Sequence, residues 1–253
     1  MKRFLYQVLI NYKREVFRNP MFYGFALFMP VAFYVLFTKM INLGIPKSAL
    51  PAFHLSYLIT MAVYSALMSS VISVANTLLD DREHNFTLFV ELSPKSRVGY
   101  YLGMLLVFLP LNALIVVVIA LVGILVNGVN ISFTMWLILL LLLPLLSIPL
   151  IMIGILVSLA GPSNVVNGVA QLVTLPMALL SGLWFPIESF PEWMQRIGHR
   201  LPPYQISTII QETVDKENLE MANVFGLALW TLGLAAAMVL VFRYIRRHEL
   251  LTI

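Results

Sequence analysis

The apolar residues of this chain gather in long blocks, each close to the roughly 20 residues that a bilayer-crossing helix requires. A block of that length folds only where its whole circumference is kept from water. The rest of the composition points the same way. Of 253 residues, 60% are hydrophobic and only 11% charged, against about 25% charged in a soluble domain. A water-soluble surface cannot be assembled from that inventory. The expected fold class is an all-α integral membrane protein, a single transmembrane domain over residues 1–253.

Other chemistries fall away early. There is no cysteine, which removes disulfides, thiolate ligands and cysteine nucleophiles together. The four histidines, His54, His84, His199 and His248, lie far apart, with no H-x-x-x-H pair to hold zinc, so no metal site is expected. The net charge of +4 comes mostly from basic residues flanking apolar blocks and is no sign of nucleic-acid binding.

Residues 1–19 place Phe4, Leu5, Val8, Leu9, Tyr12 and Val16 on one helical face, with Lys2, Arg3, Asn11, Lys13, Arg14 and Arg18 over much of the remainder. This pattern predicts an amphipathic helix lying in the membrane interface. A cleaved signal peptide fits poorly, because the apolar block begins late and lacks an A-x-A-like exit. Pro20 separates this helix from a first span at 21–43. Further spans are expected at 56–79, 98–126, 131–160, 164–185 and 223–244, six in all. Turns at Asn127-Gly128-Val129-Asn130 and Gly161-Pro162-Ser163 join spans three to four and four to five, and a charged segment at 80–97 joins spans two to three.

Orientation follows from the basic residues. With the N-terminus inside, the inner segments hold Lys2, Arg3, Lys13, Arg14, Arg18, Arg82, Lys95, Arg97, Arg243, Arg246 and Arg247. The outer segments hold only Lys47, Arg196, Arg200 and Lys216. Both termini are therefore expected in the cytoplasm. No internal repeat is visible, which counts against the many secondary transporters built from paired repeats.

Four features bear on function. A P-loop needs a lysine directly after glycine to reach the phosphates, and none of the six lysines follows one. The chain is expected to bind no ATP or magnesium itself, so an ATP-driven process would need a separate ATPase subunit. The segment Asp80, Asp81, Arg82, Glu83, His84, Asn85, Phe86, Thr87, Leu88, Phe89 puts charged heads before apolar anchors. Such a short helix suits docking into a groove of a soluble partner; a solvated loop whose charges stop the helix is the plain alternative. Ser65, Ser69, Ser73 and Thr77 recur every four residues on span two, beside Asn76. They suit a close helix–helix seam or a wall of a substrate route. On span five, Asn164, Asn167, Gln171, Thr174, Ala178 and Ser181 form a similar row. Amides are costly in lipid, so that face should look inward, towards protein or a water-filled path. No carboxylate lies deep in any span, which weakens a proton relay.

The stretch after span five, with Trp184, Phe185, Pro186, Ser189, Pro191, Glu192 and Trp193, predicts a short helical pair at the outer boundary, interfacial or re-entrant, within a segment at 186–222. Ser189 and Glu192 read as a capping box, with Pro202-Pro203 ending the first helix and a second helix near 204–214.

With those residues in view, the chain resembles the permeases of ATP-binding-cassette exporters of the ABC-2 type, over essentially its whole length. The resemblance rests on the leader ending Arg18-Asn19-Pro20, the six spans, the Asp81-Arg82-Glu83…Thr87…Leu92-Ser93-Pro94 segment, and above all Ser181-Gly182…Phe185-Pro186…Pro191-Glu192-Trp193 followed by Leu201-Pro202. It implies a coupling helix at 80–94 resting on the ATPase, an interface helix at 1–19, and a path lined by spans two and five in a permease dimer. It also implies an outer gate at 186–214. Family loops often read R-E-x-G-T, and the glycine is missing here. Expected partners are two cytoplasmic ATPase subunits holding the ATP and Mg, a second permease copy or paralogue, and membrane lipid, in a bacterial plasma membrane. The chain's length suits a half-permease. Drugs, antimicrobials, lipids and glycans all remain open as cargo. A secondary transporter or channel is the alternative. A membrane-embedded enzyme is less favoured, since no Glu-Glu pair, no G-x-S-G and no aspartate cluster occurs.

Overall fold

The structure, a computed structural model, describes residues 20–40, 45–84, 97–216 and 218–249. The expected interface helix at 1–19, and Phe86, Thr87 and Leu88 of the expected coupling segment, lie outside the described residues. Every element described is helical. Five helical stretches are long and apolar enough to cross a membrane: Leu50–Glu83, Tyr100–Asn127, Phe133–Ser158, Ser163–Leu180 and Met221–Ile245. The expected first span is represented by α1, Pro20–Val35, which runs into a π-helical turn at Leu36–Met40. Its apolar stretch Leu27–Met40 is shorter than the other five. Helices satisfy every backbone polar group internally, which is what hydrocarbon demands of a spanning segment.

The second crossing helix is built from α2, Leu50–Met68, a π-helical segment at Ser69–Ser73, and α3, Val74–Glu83. It is the axis of the fold, with 89% of its most apolar stretch buried. Around it stand α1, α4 (Arg97–Asn127), α7 (Ile148–Ser158) and α8 (Ser163–Leu180). The fourth crossing helix is assembled from α5, Phe133–Leu137, a π-helical segment at Ile138–Leu142, α6, Leu143–Leu146, and α7. Pro144 and Pro149 explain its irregularity. Each lacks an N–H and crowds the carbonyl four residues back, so the ladder widens before one and breaks at Ser147 before the other.

Turn chemistry matches the expected joints. Gly128 (φ 63°) reverses the chain after α4, and Gly161 (φ 151°) does so before α8. Ser132 caps α5 by accepting from the Met135 N–H at 3.3 Å.

The chain departs from expectation at helix ends. Asp80–Glu83 belong to α3 and are not loop residues. α8 stops at Leu180, short of 185, because Gly182 (φ 70°) turns the chain away. Ser189 closes a 3₁₀ turn, Ile187–Ser189, and makes no cap. α9, Glu192–Gly198, starts after Pro191 with no side-chain cap, and the Glu192 carboxylate instead faces Arg196 at 3.5 Å. Pro202 and Pro203 begin α10, Pro202–Asp215, where a first turn loses nothing by lacking N–H donors. α11, Met221–Glu249, is the last of the described helices.

Helix packing without a hydrophobic drive depends on close backbone approach. Gly154 of α7 sits so tightly on the π segment of the central helix that a Cβ there would fall 2.2 Å from the Ser70 carbonyl oxygen and 3.0 Å from that of Val71. Both obstacles are backbone and cannot swing aside. A Cβ at Gly103 of α4 would meet nothing within 4 Å among the described residues. Gly154→Ala is therefore expected to destabilise the purified protein by about 1–3 kcal/mol, while Gly103→Ala is neutral or gains up to ~1 kcal/mol from helix propensity. Equilibrium unfolding in mixed micelles would check the contrast; equal effects would mean that α7 can slide off the axis.

Candidate transport path and coupling site

The two polar rows expected to line a path part company in the structure. On the central helix, Ser65, Ser69, Ser73 and Thr77 are buried inside the chain, and Asn76 alone of the group is half-buried. Ser70, which is not in the row, turns to the most elaborate contact in the membrane interior. The Asn112 amide of α4, fully buried, donates to Ser70 Oγ and to Ser147 Oγ, each at 2.9 Å. Ser147 Oγ in turn donates to the Pro144 carbonyl at 2.6 Å. One side chain thus ties three crossing helices at the irregular turns of two of them.

On α8 the row splits by depth. Val166, Ala170, Thr174 and Ala178 are buried against the central helix. Asn164, Asn167 and Gln171 are exposed on the other side, together with Gly168, Leu172 and Leu175. None of the three amides has a hydrogen-bond partner among the described residues. They run about 10 Å along the helix axis at 1.5 Å per residue. An amide left bare in hydrocarbon costs several kcal/mol. That face therefore meets water or another protein surface, not lipid tails.

At the base of α3 the charges expected to be exposed are built into the structure. Asp81 is 2% exposed and accepts from the Tyr100 hydroxyl at 2.6 Å. Arg82 reaches across to the end of α7 and the turn before α8, where its guanidinium donates to the Ser158 carbonyl at 3.1 Å and also to that of Gly161. Only Glu83 and His84 remain exposed, with Asp80 half-buried. Arg82 thus ties the root of the 85–96 segment to the joint between α7 and α8.

At the opposite end, the expected gate residues join an aromatic cluster. Trp184 packs on Phe33 and Tyr64 with ring centroids at 5.5 and 5.6 Å, and its carbonyl accepts from the Tyr57 hydroxyl at 3.3 Å. Phe185 meets Phe37 edge-on at 5.5 Å. Pro186, Pro191 and Trp193 are exposed, and the Trp230 indole N–H bonds the Arg200 carbonyl at 2.7 Å. The sequence reading singled out neither Asn112, Ser147, Tyr100, Phe33, Phe37 nor Tyr64. A lone asparagine in an otherwise apolar span was the one available signal for the first of these.

A bundle of crossing helices with a bare amide face, a charged root at one end and an aromatic cap at the other defines a multi-pass membrane protein of transporter type. Residues 6–213 match the family described as ABC-2 type transporter, and the chain belongs to that family. It is 27% identical over 236 residues to the "Putative transport permease YvfS" of Bacillus subtilis (strain 168), covering 93% of this chain and 94% of that protein. No solved structure matches it.

Lysine keeps the charge of Arg82 but cannot fork onto two carbonyls. Arg82→Lys is expected to lower stability by about 1.5 kcal/mol, the low end for a hydrogen bond to a charged group, and to make the α7–α8 turn more accessible. Hydrogen exchange at 158–163 would read the loosening. Unchanged exchange would show that the turn holds itself.

Proposed function

We propose that this chain is the permease subunit of an ATP-driven exporter, working as a dimer with a second copy or a paralogue and coupled to two cytoplasmic ATPase subunits that hold the ATP and Mg. The observation that carries the reading is the bare amide face of α8, Asn164, Asn167 and Gln171, on a chain of the ABC-2 family. A second protomer facing these amides across a hydrated path removes their cost in lipid and makes the path between two chains. Asn76 is the central-helix residue best placed to join it. The buried hydroxyls of that helix, with Thr174, serve the seam that keeps the path wall rigid.

Both termini then lie in the cytoplasm of a bacterial plasma membrane, as the basic residues favour. The 1–19 leader lies in the interface and the 80–97 segment rests on the ATPase. Nucleotide-driven closure of the ATPase pair shifts α3 and, through Arg82, the α7–α8 joint. The helical pair α9 and α10 then lies at the outer surface as a re-entrant gate, with Trp184, Phe185, Pro186, Pro191 and Trp193. The permease does no covalent chemistry. It drives transport only through different affinities for cargo in two global states. Drugs, antimicrobials, lipids and glycans are the cargo classes that suit such a wall.

Two experiments test this. A pull-down of the tagged chain from its native cells in gentle detergent is expected to bring an ATPase subunit in near-equal amount. Phe86→Asp with Leu88→Asp should reduce both its recovery and the hydrolysis it supports. A chain that purifies alone would move the reading to a secondary transporter or channel. Because the chain has no cysteine, Asn167→Cys supplies a single thiol. A short bifunctional thiol reagent is expected to give a covalent dimer at this position and none at Leu240→Cys on the exposed face of α11. Equal yields at both would exclude α8 as the facing surface.

A further inference from the structure

A cavity of about 300 Å³ lies at the aromatic end, between the start of α2, the turn after α8, and α10. That volume is at the small end of ligand pockets. Four rings line it: Phe53, Tyr57, Phe185 and Tyr204. Phe53 and Tyr57 stack on each other at 5.6 Å with their planes 17° apart, and Tyr34 stacks on Tyr57 at 6.3 Å, so Tyr57 is held among rings behind the cavity wall. The aromatic lining alone would suit many apolar guests.

The polar part of the lining narrows the choice. Glu188 is its one charged residue among the described residues; no lysine, arginine or histidine reaches it. Two further carboxylates, Glu212 and Glu220, act on Tyr204, and the His199 ring packs on it with centroids 4.7 Å apart. The Tyr204 phenol is held above its usual range by burial, and by the carboxylates of Glu188, Glu220 and Glu212, against the hydrogen bond from Thr208. The Ser181 hydroxyl, on a residue only 3% exposed, lines the cavity and has no hydrogen-bond partner among the described residues. One Gln211 amide N–H is held by Ser207 Oγ at 3.0 Å, and its carbonyl oxygen is an acceptor. Rings with negative faces and one carboxylate form a setting for positive charge. An anion would meet Glu188 with nothing to balance it.

From this juxtaposition we infer that the cavity is a binding site for a compact organic cation, an ammonium group carried on a small apolar body. The ammonium lies against Tyr204 and Phe185 within reach of Glu188, and the apolar body fills the side of Phe53. The site is separate from the bare face of α8 and does not depend on the chain being ATP-driven. Gly182 is what allows it. With φ at 70° it swings Phe185 and Glu188 back over the start of α2, and a side chain there would meet Ile187 Cβ at 3.0 Å.

The test is equilibrium binding of labelled benzyltrimethylammonium to the full chain in nanodiscs, together with any subunit that co-purifies, without nucleotide and against empty nanodiscs. Competition by choline and by 3,3-dimethyl-1-butanol compares two molecules of one shape that differ in charge. Saturable binding is expected, with choline displacing the probe at least about tenfold better than the neutral alcohol, as a cation–aromatic contact supported by a carboxylate would give. Glu188→Gln should weaken binding about tenfold and erase that preference, and Tyr204→Leu should weaken it independently. Glu192→Gln, which removes an exposed carboxylate outside the cavity, should change nothing. Absence of saturable binding, equal competition by the alcohol or by glucose, or full affinity in Glu188→Gln would each overturn the assignment. Because no step uses ATP, failure here leaves the transport reading standing, and failure of that reading leaves this one testable.

Discussion

Inside a bilayer no water replaces a hydrogen bond that a helix fails to make, and this fold is organised around that fact. The central helix is enclosed by protein along most of its length, so the hydroxyls of Ser65, Ser69, Ser70, Ser73 and Thr77 are kept from lipid. Asn112 supplies two of the bonds that such burial requires, to Ser70 and Ser147. Gly154 lets α7 come close enough for the arrangement to close. The two contacts depend on each other. Without the glycine the helices stand too far apart, and without the amide Ser70 and Ser147 would each lose a donor across the helix contacts.

Burial falls away steeply from that axis. The central helix is 89% buried over its most apolar stretch, α8 22% and α11 only 6%. What each exposed face is made of then decides what covers it. α11 presents Leu229, Leu232, Val239 and Leu240, a surface that lipid tails solvate without cost. α8 presents amides, and lipid cannot cover those. Two helices of one bundle are thus directed to two different surroundings by composition alone.

The spans were legible in the sequence because their signal is bulk: blocks of apolar residues at crossing length, divided by glycine and proline turns. The joints at Gly128 and Gly161 followed from the same punctuation. What was not legible was finer than a helical turn. A helix that is apolar all round carries no periodicity to betray a π segment. Asp81 and Arg82 looked like solvated charges because their partners, the Tyr100 hydroxyl and the Ser158 and Gly161 carbonyls, are remote in sequence or are backbone atoms. Pro202-Pro203 can stop one helix or start the next, and only the chain's return path towards α2 decides between them. At the candidate site, the sequence named the α8 amides and the aromatic residues after it. It could not say that the hydroxyl row faces inward and the amide row outward.

Arg82 gives this geometry a mechanical reading. Its two bonds pin the joint of α7 and α8 to the foot of α3, so three helices share one footing. α8 is 18 residues long, about 27 Å at 1.5 Å per residue. A tilt of only about 10° at the footing would carry its far end sideways by about 5 Å, close to one helical pitch. Under the mechanism proposed above, the arginine would act as a fulcrum, and a small push at the foot of α3 would be magnified along a stiff arm into a displacement large enough to open or close a passage.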